Sequence, residues 1–179
     1  LQRELKIPVL YVTHAPDEVT RLAQHLVVLE NGRVLASGSL VEMSSRIDLP
    51  IRLGDDLGAV IETTVEEIDQ RWNLARLRFD GGSLWTRDHG LKQGAAVRVR
   101  VLARDVSIAC ERPAPSTIQN VLPAHIVGLA SDEAEGQALV RLQIGQAVLI
   151  ARVTRRAVAD LGLHAEQAVW VQVKSVALA

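Results

Sequence analysis

His14 lies at a predicted junction between a strand and a helix, a place where many enzymes have a catalytic residue. His14 follows a short apolar run at residues 9–12, predicted to be a strand, and precedes a helix predicted to begin at Pro16. Proline is tolerated there because the first N–H groups of a helix have no partner within it. Asp17 and Glu18 suit the positive end of the helix dipole. A histidine at such a strand-to-helix junction projects beyond the sheet edge, where α/β folds bind ligands.

The elements after this histidine are typical of an α/β domain. A buried-type strand is predicted at 26–30, followed by an Asn-Gly pair at 31–32. This pair is a strong hairpin signal because both turn positions require φ > 0. The return strand is predicted at 33–38, and Ser39 can cap a short helix through Met43.

Residues 1 to about 46 resemble the C-terminal end of the nucleotide-binding domain of ABC transporter ATPases. The resemblance rests on the run YVTHAPDEV followed by VVLENGRVLASG at the family's spacing. It implies that His14 is the switch histidine that contacts the γ-phosphate of ATP. It also implies a full-length parent that binds ATP and magnesium and hydrolyses ATP.

The other parts of an ATP site do not occur in this sequence. A P-loop needs a glycine-rich turn followed by Lys and Ser or Thr, and no such run is found. The strand with a magnesium-binding Asp and a catalytic Glu is missing, as is the ABC signature segment. Residue 1 is Leu rather than Met, and a helix is predicted at residues 1–6. We therefore expect a catalytically inactive fragment of a longer protein.

Composition limits the classes of function. The 179 residues are 48% hydrophobic and 23% charged, as in an ordinary globular protein. A net charge of −1 and only 3% aromatic residues disfavour an OB-type nucleic-acid binder, which needs basic patches and stacking side chains. Cys110 is the only cysteine, which fits a reducing compartment. No apolar run approaches the ~20 residues needed to span a bilayer, and no metal-ligand spacing is found among the histidines.

From about residue 50 the sequence alternates with a period of two residues, which is typical of strands. The predicted strands are 62–68, 74–79, 83–87, 96–101, 124–130, 138–144, 147–153 and 168–173. The run at 169–173 mirrors the run at 97–101, which predicts an internal repeat of about seventy residues. Residues 112–115 (Arg-Pro-Ala-Pro) form a short stiff linker between the two halves.

Residues 116–179 resemble the TOBE or Mop family of molybdate- and tungstate-binding β-barrels. The matching runs are STIQNVL at 116–122, VTRRAVADLGL at 153–163 and VKS at 173–175. The resemblance implies molybdate or tungstate as ligand, in sites that lie between subunits or repeats. The residues implied as oxyanion-binding are Thr117, Gln119, Asn120, Thr154, Ala157, Lys174 and Ser175.

A tetrahedral dianion requires converging N–H and O–H donors and a cation, because charge-assisted hydrogen bonds are about twice as strong as neutral ones. Three hydroxyls, one ammonium group and the helix start at 154–158 can supply them. Gln119 stands where many family members have Arg, and Ala157 where they have Ser. Losing two such donors could cost several kcal/mol at ~1.5–3 kcal/mol each. Two roles stay open for this barrel: oxyanion binding, or assembly alone.

The predicted fold is therefore mostly β: an α/β remnant of an ABC nucleotide-binding domain followed by a two-part OB-like (TOBE/Mop) antiparallel β-barrel domain. The predicted domains are residues 1–48 for the α/β remnant, 49–112 for the first OB-like half and 116–179 for the TOBE/Mop barrel.

The two resemblances together imply the C-terminal part of the ATP-binding subunit of a molybdate ABC importer. Such a subunit would be a homodimer on a membrane permease, cytoplasmic and peripheral at the inner face of the cell membrane. The β domain would contribute to dimerisation and sense molybdate. One alternative is a free-standing molybdate-binding protein, which the α/β remnant argues against. Another is an ABC subunit for sulfate or sugar, whose barrel binds no ligand.

Overall fold

The computed structural model describes residues 8–48 and 57–179. Within these ranges the chain is mostly β, as predicted. Its elements are α1 (Pro16–Leu22), β1 (His25–Glu30), β2 (Arg33–Ser39), α2 (Leu40–Ser44), β3 (Gly58–Asp69), β4 (Leu74–Phe79), β5 (Gly82–Arg87), β6 (Ala96–Leu102), a 3-10 helix (Ala103–Asp105), β7 (Val106–Ala109), β8 (Asn120–Ser131), β9 (Gln137–Ile144), β10 (Ala147–Thr154), α3 (Arg155–Asp160), β11 (Ala168–Val173) and β12 (Ala177–Leu178). The helix predicted at 1–6 and the boundary at 49–50 lie outside the described residues.

The α/β segment forms the predicted hairpin and helices. Strands β1 and β2 are antiparallel, and Asn31 and Gly32 at their turn have φ of 48° and 75°. The Ser39 hydroxyl accepts the N–H of Glu42 at 3.2 Å, so the predicted N-cap of α2 is confirmed. None of the helices in the described ranges has the length and apolar character needed to cross a bilayer.

The strand predicted at residues 9–12 is not formed. Leu10 and Val12 are 94% and 90% exposed, and no described strand pairs with them. A buried strand of this apolar type is stable only between neighbours that cover both its faces. The prediction was wrong for the described part of the chain because an apolar run specifies burial but cannot supply the neighbouring strands.

The β domain consists of two five-stranded antiparallel sheets with the same layout. Their strand orders are β12-β6-β3-β4-β5 and β10-β9-β8-β11-β7. Each repeat gives its last strand to the sheet of the other: β7 pairs with β11, and β12 pairs with β6. The sheets are therefore curled halves of an OB-like domain that are interlocked rather than independent.

The long central strands show the repeat most clearly. Strands β3 and β8 each have 12 residues. Each has a bulge at the same place, between Val65 and Glu67 in β3 and between Ile126 and Gly128 in β8. A bulge bends its strand and increases the local twist, so both sheets curl around one core. That core contains residues of both repeats, among them Leu77, Val99, Ile126 and Leu142, all fully buried.

The turns after β4 and β9 pack against each other. A Cβ on Gly81 would lie 2.3 Å from the carbonyl oxygen of Ile144, and a Cβ on Gly145 would lie 2.5 Å from the carbonyl oxygen of Asp80. Both glycines also have positive φ, 120° and 58°. Only glycine fits both the conformation and the close approach, so this contact fixes the two repeats relative to each other.

The α/β segment packs on the first sheet. Leu40 and Val60 are buried together, with Val19 and Leu26 packed against them. The Ser44 hydroxyl accepts the N–H of Val60 at 3.0 Å. Helix α1, which follows His14, is therefore held against β3.

Candidate functional site

Five of the seven residues implied as oxyanion-binding lie where β8 begins and β11 ends; we call them the β8-start cluster. They are Thr117, Gln119, Asn120, Lys174 and Ser175. Asn120 pairs with Val173, so Gln119 and Lys174 are neighbours one residue beyond that pair. All except Asn120 are exposed. Among the described residues no carboxylate forms an ion pair with Lys174, so its charge is available to an anion.

Asn120 has a different task from its neighbours. It is only 8% exposed, and its Oδ1 accepts the N–H of Trp85 at 2.6 Å. Its Nδ2 donates to the carbonyl oxygen of Trp85 at 3.0 Å. Both ends of the amide bond to the backbone of β5, so Asn120 fixes the cluster to the first repeat. One of its two Nδ2 hydrogens is used by Trp85, which leaves one donor for another partner.

Thr154 and Ala157 lie at the end of β10 and in α3; we call this pair the α3 cluster. The Thr154 hydroxyl oxygen accepts the N–H of Ala157 at 3.1 Å, and the N–H of Arg155 donates to the carbonyl oxygen of Gly136 at 2.9 Å. The backbone N–H groups of Arg155 and Ala157, which the sequence predicted as anion donors, are therefore already hydrogen-bonded within the protein. The hydroxyl hydrogen of Thr154 is still able to donate, since a hydroxyl is both donor and acceptor.

A groove of about 390 Å³ adjoins the α3 cluster and contains two polar groups that no sequence motif identified as ligands. Arg155 and Ser131 line it together with apolar residues, and Arg155 Nη2 donates to the Ser131 hydroxyl at 3.4 Å. Arg156 instead pairs with Asp160 at 3.2 Å on the surface of α3. The sequence left the Arg155-Arg156 pair undecided, and only the fold shows which of the two cations faces the groove.

The two clusters lie at opposite ends of β8. Asn120 is its first residue and Ser131 its last. Thr154 pairs with Gln137, which adjoins the Ser131 end through β9. A strand of this length runs for roughly 35 Å at ~3.3 Å per residue. One copy of the chain therefore does not bring its two clusters together around one small anion.

The first repeat carries different chemistry at corresponding places. Ala59, which pairs with Val101, occupies the position that Asn120 occupies opposite Val173. The loop after β5 is capped by a carboxylate, since Asp88 Oδ1 accepts the N–H groups of Gly90 and Leu91 at 2.9 Å each. The helix after β10 is capped by a neutral hydroxyl. At this place the first repeat therefore has the negative charge of Asp88, which repels an oxyanion, whereas the second repeat has the hydroxyl of Thr154, which can donate to one.

The outer face of the first sheet forms an open groove of about 980 Å³ lined by charged side chains. Arg76 lies 3.3 Å from a Glu66 oxygen and 3.8 Å from a Glu67 oxygen, and Arg78 lies 3.6 Å from Glu66. These cations are matched by carboxylates of the same face. The positive charges of this larger groove are therefore already neutralised by its own carboxylates, and the groove does not favour binding of a dianion.

His14 is exposed at the start of the α/β segment, and its neighbours are held by one carboxylate. Glu18 accepts the Thr13 hydroxyl at 2.6 Å and the Tyr11 hydroxyl at 3.1 Å. These two bonds, Thr13 first, lower the pKa of Glu18, and the charge of His14 adds to them. The hydrogen bond to Glu18 also raises the pKa of Tyr11. The described residues contain no group of three or more His, Cys, Asp or Glu that could hold a metal ion.

Residues 116–179 match the family model of the TOBE domain. Nearly the whole chain, 99%, is similar to proteins called molybdenum import ATP-binding protein ModC. It is 54% identical to the one from Methylococcus capsulatus, 48% to that of Thiobacillus denitrificans and 47% to that of Pseudomonas aeruginosa. The aligned part is 50%, 49% and 50% of these proteins, so the chain spans about half their length.

The chain is also similar to a solved structure. A crystal structure of the cytoplasmic molybdate-binding protein ModG, with molybdate bound, superposes with a TM-score of 0.57 at 18% sequence identity. The match covers 67% of this chain and 95% of that one. It supports the two-repeat β fold.

Proposed function

Since residues 116–179 are a TOBE domain in a homologue of the molybdenum import ATP-binding proteins, we propose that the chain is the C-terminal part of the ATP-binding subunit of a molybdate ABC transporter. Its β domain binds molybdate or tungstate and senses the intracellular supply. The similarity includes the α/β segment as well as the β domain, which favours this function over a free-standing molybdate-binding protein.

One observation carries the ligand assignment: the exposed donors of the second repeat form two incomplete clusters near opposite ends of β8. Lys174 and Ser175 are at one end of β8, and Thr154 and Arg155 are near the other. A dianion held between the β8-start cluster of one copy and the α3 cluster of another would receive one cation from each copy, Lys174 from the first and Arg155, next to Thr154, from the second. We propose that the site is completed between copies in a homodimer or a larger symmetric assembly.

Binding between copies explains how the site works without the two donors that Gln119 and Ala157 fail to supply. Arg155 provides a cation in place of the Arg that many family members have at position 119. Ser131 provides a hydroxyl in the groove beside Arg155. The second repeats of two copies thus contribute a charge and hydroxyl set of the kind that a tetrahedral dianion requires.

The activity of the whole subunit is part of the same proposal. With the segments that complete an ATP site, His14 contacts the γ-phosphate of ATP, and magnesium accompanies the nucleotide. Glu18 positions the His14 loop through its hydrogen bonds to Thr13 and Tyr11. The subunit acts at the inner face of the membrane on a permease partner, and molybdate bound to the β domain regulates ATP hydrolysis.

Calorimetry with molybdate, tungstate and sulfate tests the ligand assignment. We expect micromolar or tighter binding of molybdate and tungstate, weakened roughly 10- to 100-fold in Lys174→Ala because a charge-assisted bond contributes ~1.5–3 kcal/mol. Lys92→Ala removes an exposed lysine of the first repeat and is the matched control with unchanged affinity. If none of the three anions gives a heat of binding, the β domain has a role in assembly alone. Preferred binding of sulfate would favour a subunit for another cargo.

A further inference from the structure

Arg98 on β6 contacts three parts of the molecule. Its Nη1 donates to the carbonyl oxygen of Ala23 at 2.6 Å, and its Nε and Nη2 donate to Glu62 at 3.4 and 3.3 Å. Its own carbonyl oxygen accepts the N–H of Ala179 at 3.0 Å. The side chain is 22% exposed. One residue of the first repeat therefore touches both the α/β segment and the chain that follows β12.

On one side Arg98 holds the end of the helix that follows His14. Ala23 is the C-cap of α1, and α1 begins two residues after His14. Carbonyl groups at a helix C-terminus carry a partial negative charge, which a guanidinium stabilises. Because α1 has only seven residues, Ala23 at its end and His14 before its start are joined by one short helix.

On the other side the backbone of Arg98 bonds to the C-terminal segment that follows the β8-start cluster. Lys174 and Ser175 are followed directly by the segment that leads into β12, a strand of two residues that pairs with Arg100 and Val99 of β6. The Thr86 hydroxyl donates to the carbonyl oxygen of Val176 at 3.0 Å. So short a strand is marginal by itself, and ordering of the preceding residues stabilises its pairing.

We infer that Arg98 is a positioning residue that transmits oxyanion binding at Lys174 and Ser175 through β12 and β6 to the helix after His14. The inference rests on the proposed function and names the route by which the ligand acts on the ATP-site segment. The bistable element is β12, paired with β6 or released from it. Bound anion favours the paired state, and Arg98 couples that state to the position of Ala23.

Amide hydrogen exchange of the 179-residue chain with and without saturating molybdate tests this route. In the wild type, molybdate slows exchange about fivefold or more both at residues 177–179 and in α1. Arg98→Ala keeps the effect at 177–179 and loses it in α1. Arg98→Lys, which retains one cation near Ala23, keeps part of it.

The matched control is Arg78→Ala on β4 of the same sheet. Arg78 is 72% exposed and pairs with Glu66, and β4 is separated from β12 by β3 and β6, so this variant transmits the ligand effect like the wild type. A ligand effect on α1 that is undiminished in Arg98→Ala overturns the inference, as does a wild type that responds at 177–179 but not in α1. Failure of the wild type to bind molybdate in calorimetry is a different result, which rejects the proposed function and this route with it.

Discussion

The two β repeats share one topology and differ in the chemistry at the ends of their central strands. Strands β3 and β8 have the same length and the same bulge, and each repeat gives its last strand to the other sheet. Yet Asp88 caps the loop after β5 where Thr154 caps the helix after β10. The inward-facing residues must keep the common core, whereas residues at the ends of strands are free to diverge. We therefore propose that oxyanion binding in this domain belongs to one repeat of a shared scaffold.

The largest expected effect is on stability and concerns the contact between the turns of the two repeats, at Gly81 and Gly145. Gly81→Ala or Gly145→Ala places a Cβ within 2.5 Å of a carbonyl oxygen of the other repeat, at positive φ. We expect a loss of unfolding free energy on the order of 3 kcal/mol or more, because the two turns must separate. Urea denaturation measures this loss.

Gly94→Ala is the control, since Gly94 has φ of 80° but no atom within 4 Å of an added Cβ. It incurs only the conformational cost, about 1 kcal/mol. Equal losses for Gly94 and the two turn glycines would show that the repeats do not depend on the turn contact.

The next effect concerns a contact that only one repeat makes. Asn120→Ala leaves the N–H and carbonyl groups of Trp85 without their partner, which costs about 1–3 kcal/mol. Gln119→Ala, one residue earlier and exposed, changes stability by less than about 0.5 kcal/mol. If thermal denaturation shows the two variants to be equally stable, Asn120 does not join β8 to β5.

We expect the caps of the two repeats to contribute similarly to stability but differently to molybdate binding. Thr154→Ala and Asp88→Ala each remove a cap worth about 1 kcal/mol of unfolding free energy. Only Thr154→Ala weakens molybdate binding, because only this cap belongs to a proposed oxyanion cluster. Denaturation and calorimetry on the same two variants separate the roles, and a binding loss in Asp88→Ala would refute the assignment to one repeat.

The smallest effect lies outside both repeats, in the α/β segment. Thr13 and Tyr11 stabilise the ionised form of Glu18. A lowered pKa means that this stabilisation is present above the unfolded-state pKa of about 4.3 and is lost as the pH falls through the folded pKa. An NMR titration of the Glu18 carboxyl carbon should show a pKa that rises towards the ordinary value in Thr13→Ala. An identical titration in both proteins would mean that Thr13 does not hold the His14 loop.

Local patterns predicted most of the elements. Alternation located β4 at 74–79 and β11 at 168–173, and Ser39 capped its helix as expected. The exchange of β7 and β12 could not be predicted, because alternation specifies which face of a strand is buried but not which strand it pairs with. The same limit explains the incorrect strand at 9–12, whose apolar residues give no information about neighbours.

The candidate site was predictable in its residue types but not in its arrangement. The motifs predicted that Thr154 and Lys174 both bind the oxyanion, and the fold places them near opposite ends of β8. Asn120 was predicted as an oxyanion-binding residue, and the fold adds a contact with the backbone of Trp85 that no motif indicated. Arg155 faces the groove while Arg156 pairs with Asp160, a distinction that depends on how α3 packs. Motif spacing thus predicts candidate donors, while their direction depends on tertiary contacts.

Mixing two variants tests most directly whether the site is shared between copies. Lys174→Ala and Thr154→Ala each weaken molybdate binding alone, since every site contains one altered cluster. After unfolding and refolding together at equal amounts, random assembly leaves about a quarter of the sites with both clusters intact. Calorimetry of the mixture should recover about a quarter of the wild-type sites at wild-type affinity. A mixture that binds no better than the separate variants would contradict the account.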